Sequence, residues 1–88
     1  MISRTFTIKN RLGLHARAAA QLVQTANQFA AEVTLHKNDV EVNGKSIMGI
    51  LLLAAPIGTE ISVTVNGPDE EQAMTVIADL IEDGFGED

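Results

Sequence analysis

The chain has 88 residues, 45% of them hydrophobic, and contains no cysteine, tryptophan or tyrosine. That length suits one compact domain over residues 1–88, and the missing cysteine excludes disulfides, thiolate metal sites and thiol nucleophiles. A net charge of −6 argues against a general nucleic-acid binder, yet residues 1–50 carry a net +3 and residues 51–88 a net −9, with no Lys or Arg after Lys45. An anion site is therefore expected in the first half of the chain.

Ile2–Ile8 alternates Ile2, Phe6 and Ile8 with Ser3, Thr5 and Thr7, which predicts a half-buried strand. Asn10–Leu14 follows as a loop around Gly13. From Ala16 the period lengthens: Ala19, Leu22, Val23, Ala26, Phe29 and Ala30 recur at helical spacing and predict one amphipathic helix. Val33 and Leu35, then Val40 and Val42, alternate with polar residues on either side of a Lys37-Asn38-Asp39 turn, so a hairpin is expected. Ile47–Ala55 is apolar throughout, and Ser46 as an N-cap favours a short helix there over a strand. Ile61, Val63 and Val65 predict a fourth strand. Asn66-Gly-Pro-Asp69 opens a last helix, with Pro68 near its first position, acids suited to the positive end of its dipole, and Gly84 as its stop.

The resulting order is βαββαβα. A crossover from the first strand to the second leaves a gap for the fourth, lying antiparallel. The fold class expected is α+β, an open-faced β-sandwich in which a four-stranded antiparallel sheet carries three helices on one face. The longest apolar stretch, Ile47–Ile57, is interrupted by Gly49 and Pro56 and falls far short of the ~20 residues of a membrane span. With no export signal at the start of the sequence, a cytoplasmic protein without membrane insertion is expected.

Chemistry concentrates in two stretches. In Leu12-Gly-Leu-His15-Ala-Arg17, the histidine stands where a loop becomes a helix. The N–H groups of a first helical turn lack intrahelical partners and attract anions. Arg17, in that turn, can add a planar set of donors to the same anion. His15 then reads either as a nucleophile towards phosphorus or simply as a helix cap beside a solvated arginine. In Gly44-Lys-Ser46-Ile-Met-Gly49, Ser46 reads either as an N-cap alone or as a hydroxyl open to phosphorylation at a helix start, where phosphate would add about two negative charges. Ile47, Met48 and Leu51 belong either to the core or to an exposed partner-binding patch. His36 reads as an ordinary surface residue. No phosphate-binding glycine loop and no metal-ligand cluster exists, so neither a nucleotide cofactor nor a metal is expected.

The sequence closely resembles the HPr family, the histidine-containing phosphocarriers of the bacterial phosphoenolpyruvate-dependent phosphotransferase system. The resemblance runs over essentially the whole chain: Leu14-His-Ala-Arg17 is similar to the family's active-site motif, and Gly44–Gly49 to its regulatory serine motif. It implies that His15 accepts a phosphoryl group at Nδ1 from phosphorylated enzyme I and passes it to the A component of an enzyme II in sugar uptake or to a related acceptor. Arg17 would hold phosphoryl oxygens, and Ser46 would be the target of an ATP-dependent serine kinase and phosphorylase, its modification weakening exchange with enzyme I. Ala20, Ile47, Met48 and Leu51 match the shared partner surface. The protein would be a monomeric carrier and not an enzyme with turnover of its own.

Three features depart from the common pattern. Ala18 stands where the family commonly has proline, while Leu12 and the ending Gly84-Phe-Gly-Glu-Asp88 resemble the nitrogen-related branch. The competing reading is therefore a regulatory interaction module, nitrogen-related or serine-switched, that is not coupled to sugar transport. A generic small ligand-binding α+β domain would leave the histidine motif unexplained. Arg11, Arg17 and Lys45 fall around the two stretches, so the docking face is expected to be neutral to positive, with an apolar centre and the acids elsewhere.

Overall fold

The computed structural model describes residues 1–87. Its elements are β1 (Ile2–Thr7), α1 (Ala16–Ala26), β2 (Glu32–Lys37), β3 (Val40–Asn43), α2 (Ile47–Leu53), β4 (Glu60–Asn66) and α3 (Glu70–Glu82), followed by a 3-10 turn at Gly84–Gly86. The sheet order is β1-β4-β2-β3, all antiparallel. The fourth strand fills the gap that the crossover leaves, with Phe6 opposite Ile61 and Val33 opposite Val65.

Alternation decides which sheet face is covered. Phe6, Val33, Leu35, Ile61, Val63 and Val65 point inward and are buried against Ala19, Leu22 and Val23 of α1, Ile50 and Leu53 of α2, and Ala73, Ile77 and Ile81 of α3. The opposite face is polar. Ser3 shares a hydroxyl hydrogen bond with Thr64 (2.7 Å), Thr5 with Ser62 (3.2 Å), and His36 Nε2 meets Glu41 at 2.9 Å. The architecture is the open-faced α+β sandwich expected from the sequence. Among the described residues no helix is long and apolar enough to cross a membrane.

Two helix boundaries differ from the sequence expectation. The helical spacing runs on to Phe29 and Ala30, but α1 ends at Ala26 with Asn27 as its C-cap. Phe29 is buried from the following turn, whereas Ala30 is exposed. The reason is non-local: both Asp69 carboxylate oxygens accept backbone N–H groups, from Ala30 and Ala31, at 2.9 Å each. This latch fixes the α1–β2 connection in a non-helical course. Pro68 also lies before the N-cap of α3, which is Asp69, and not at the first helical position. With the Asp69 side chain committed to the latch, Glu70 reaches back to the Gly67 N–H (3.0 Å) and protects the approach to α3 instead.

Ser46 is the N-cap of α2, its Oγ accepting from the Gly49 N–H at 3.0 Å. At the other end Ala54 adopts φ 49°, and Lys37 Nζ donates to the carbonyls of Leu53 (2.8 Å) and Ala54 (3.2 Å). A helix of only seven residues depends on such end contacts. Replacing the cap in Ser46→Ala is expected to cost about 1 kcal/mol in chemical denaturation, without loss of the fold.

The Ala30 N–H, then that of Ala31, holds the Asp69 carboxyl below its ordinary range. A carboxylate with a depressed folded pKa contributes stability that is present above its unfolded value near ~4 and is lost as pH falls through the lower folded value. The urea midpoint should therefore fall on acidification below about pH 4. Asp69→Asn should lower the midpoint at pH 7 and flatten that acid slope, because an amide presents only one acceptor oxygen to two N–H groups.

Candidate functional site

The loop from Lys9 to Leu14 sets the position of His15. Gly13 adopts φ +66°, and a β-carbon there would run into the Ala55 carbonyl and come within 2.8 Å of Pro56 Cα. The close approach lets the Leu14 N–H donate to that carbonyl at 2.9 Å, and the Leu14 side chain is buried. The next residue, His15, leaves the loop in extended conformation as the N-cap of α1. The first rung of the helix is Ala19 N–H to the His15 carbonyl, 2.8 Å. The earlier N–H groups have no intrahelical acceptor, and that of Arg17 points at His15 Nδ1, 3.3 Å away.

A residue that sequence reasoning missed completes the site. After α3, Gly84, Phe85 and Gly86 all take positive φ values of 63°, 58° and 73°, which curls the chain back with Phe85 buried. The curl delivers Glu87 to His15, 72 residues earlier in sequence. Oε2 of Glu87 lies 2.6 Å from His15 Nε2 and accepts from Arg17 Nη2 (3.0 Å) and Nε (3.3 Å), while Oε1 accepts from Asn10 Nδ2 at 3.0 Å. The Glu87 side chain is only 8% exposed. The Asn10 amide, then burial opposing it, then His15 and Arg17, shift the Glu87 carboxyl, and the net direction is downward. It therefore stands as a carboxylate, an acceptor only.

Asn10 is itself buried, and Nδ2 donates both to Glu87 and to the Gly13 carbonyl (2.8 Å). One carboxamide thus fastens loop and tail together. The signal available in sequence was the Gly-Phe-Gly pattern before an acid, which marks a turn but does not say where it points.

The acids were expected to stay clear of this face, and Glu87 corrects that expectation: one of them is placed against His15 and Arg17. The basic character persists around it, since a depression of ≈390 Å³ beside the pair is lined by Arg11, Leu12, Arg17, Gly86 and Glu87. Lys45 turns to the Phe29 carbonyl, 2.8 Å from Nζ.

On α2 the apolar run divides. Ile50 and Leu53 enter the core, whereas Met48 and Leu52 are 74% and 73% exposed and Ile47 and Leu51 are exposed as well. Ala20 on α1 is half-buried and Ser46 is partly exposed at the N-terminus of α2. Leu12, 65% exposed, adds a further apolar side chain on the loop ahead of His15. His36 lies on the open sheet face, away from this group of residues. Among the described residues no group of three His, Cys, Asp or Glu side chains could hold a metal ion.

Comparison with known proteins agrees in sequence and in shape. The family profile of the PTS HPr component phosphorylation site matches residues 2–83. The phosphocarrier protein HPr of Neisseria meningitidis is 52% identical over 87 residues, covering 99% of this chain and 98% of that protein. The HPr-like protein Crh of Bacillus subtilis is 39% identical, over 94% of this chain and 98% of its own. A crystal structure of HPr from Thermoanaerobacter tengcongensis superposes with a TM-score of 0.96 at 45% identity, covering 100% of this chain and 99% of that one. An HPr dimer from the same organism gives 0.79 at 46% identity, covering 99% and 100%. With about half of its residues shared over nearly the whole length, and with the same four-stranded sheet and three helices, the chain belongs to the HPr phosphocarrier family of the phosphotransferase system.

Proposed function

We propose that His15 carries the phosphoryl group, accepting it at Nδ1 from phosphorylated enzyme I and delivering it to the A component of an enzyme II in sugar uptake. The observation that supports this best is the placing of His15 Nδ1 at the start of α1, beside the Arg17 N–H. In the transfer, the Nδ1 lone pair forms a bond to phosphorus as the donor–phosphorus bond breaks, and the electron pair of that bond leaves with the donor. The N–H groups of the helix start and the Arg17 guanidinium are suited to the phosphoryl oxygens. The protein is a covalent participant in a cytoplasmic relay and works as a monomer, because one acceptor histidine needs no second copy.

Ser46 and the exposed side chains Ile47, Met48 and Leu51, with Ala20, form the docking and regulatory part of this reading. Phosphorylation by a serine kinase, reversed by a phosphorylase, would place about two negative charges beside the apolar patch that enzyme I must cover. The exposure of Met48 and Leu52 also favours a second reading, in which serine-switched or nitrogen-related regulatory contacts matter more than sugar transport.

Incubation with enzyme I and radiolabelled phosphoenolpyruvate should place one acid-labile phosphate on the wild type and none on His15→Ala. Equal labelling of the two would refute the carrier assignment. Arg17→Ala should be labelled roughly tenfold or more slowly. Ser46→Asp should be labelled several-fold more slowly, while pull-downs with wild type and Ser46→Asp should recover different partners; identical sets would count against the serine switch. Light scattering should return the mass of a single chain.

A further inference from the structure

The two ring nitrogens of His15 face partners of opposite kind. Nδ1 is 3.3 Å from the Arg17 backbone N–H, which can only donate. Nε2 is 2.6 Å from Oε2 of Glu87, which as a carboxylate can only accept. Both contacts demand the same arrangement, with the ring proton on Nε2 and the lone pair on Nδ1. Either alone would bias the ring; together they leave the other tautomer with an N–H facing an N–H at one end and a lone pair facing a carboxylate at the other.

We propose that Glu87 is a positioning residue for His15: it holds the ring proton on Nε2, so that Nδ1 alone is nucleophilic, and keeps that proton in place while the phosphoryl group is carried. The inference rests on the carrier reading of His15. The carboxylate is a built part of the site, since it is nearly buried, receives Asn10 Nδ2 at its other oxygen and is delivered by the curl that buries Phe85.

The proton balance follows from this arrangement. When Nδ1 forms its bond to phosphorus the electron pair comes from the ring, which becomes formally cationic with its proton still on Nε2. The facing carboxylate offsets that charge. No proton has to leave the ring as phosphorus arrives, and none has to be found when it departs and the N–P electron pair returns to Nδ1. The charged groups facing the ring are the Glu87 carboxylate and the Arg17 guanidinium, which share the Oε2 atom.

The test combines ring-nitrogen NMR with phosphoryl acceptance, using protein labelled with ¹⁵N at histidine. In the wild type the His15 shifts should report a protonated Nε2 and an unprotonated Nδ1. Glu87→Ala should show a mixture of tautomers and accept phosphoryl from enzyme I about tenfold more slowly. Glu87→Gln, whose amide oxygen still accepts from Nε2–H, should retain the tautomer and recover part of the rate. Thermal unfolding of each variant shows whether the fold persists, and the tautomer ratio of the folded fraction is read in the same spectra. A wild-type ring with its proton on Nδ1, or a Glu87→Ala protein with unchanged tautomer and with labelling as fast as wild type or faster, overturns the inference while leaving His15 as the acceptor. Labelling of His15→Ala would overturn the carrier reading instead.

Discussion

The fork of hydrogen bonds from the Asn10 carboxamide is the interaction on which the site depends. Asn10 is 1% exposed, and its Nδ2 is shared between the Gly13 carbonyl, three residues on, and Glu87, seventy-seven residues on. Both donor hydrogens of this buried amide find acceptors, while its Oδ1 has no partner among the described residues. Here the two acceptors belong to the loop that aims His15 and to the tail that faces it. Gly84 lies beside the same residue, where a β-carbon would make ordinary contact with Asn10 Cβ at 3.6 Å. Loop, helix start and tail are therefore set relative to one another by a single side chain beneath them.

The charge asymmetry of the sequence acquires a spatial meaning from this. Arg11 and Arg17 flank the start of α1, while Arg4 lies on β1 over the Phe6 ring, and the acids lie mainly on α3 and beyond it. Because the tail turns back, its final described acid neutralises part of the basic site, and Arg11 remains on the rim of the adjoining depression. Next to it, α2 offers Met48 and Leu52 to solvent. An apolar surface beside a partly compensated basic site suits transient docking of phosphorylated, negatively charged partners, since rim charges steer encounter while a small apolar contact permits release.

Alternation and helical spacing made the sheet and its three covering helices legible, because each of those elements buries one periodic stripe. Legibility stopped where a distant residue overrode a local pattern. The spacing of Phe29 and Ala30 continues that of α1, but the helix cannot continue while Asp69, thirty-nine residues from Ala30, holds the next N–H groups. Ser46 could be read as a cap because its partner, the Gly49 N–H, is three residues away. The His15 cap was visible for the same reason, since its partner, the Arg17 N–H, is two residues away. Glu87 was not: three left-handed residues in succession bring it home, and only the resulting tertiary contacts identify its partners.

The dual attachment of Glu87 also bears on the role proposed for Arg17, which is paired with that carboxylate in the free protein. The Arg17 side chain is 68% exposed whereas the Glu87 side chain is 8% exposed, so of the two the guanidinium has the open side from which phosphoryl oxygens can be reached. Glu87 need not leave when this happens, since Asn10 still holds Oε1 and His15 Nε2 still meets Oε2. The carboxylate is thus held at both oxygens by Asn10 and His15, while the guanidinium has this carboxylate as its hydrogen-bond partner on one side and solvent on the other. In the proposed transfer, a phosphoryl group at Nδ1 would draw the Arg17 guanidinium towards it, leaving His15 Nε2 and Asn10 Nδ2 as the partners of Glu87 while the ring gains positive charge.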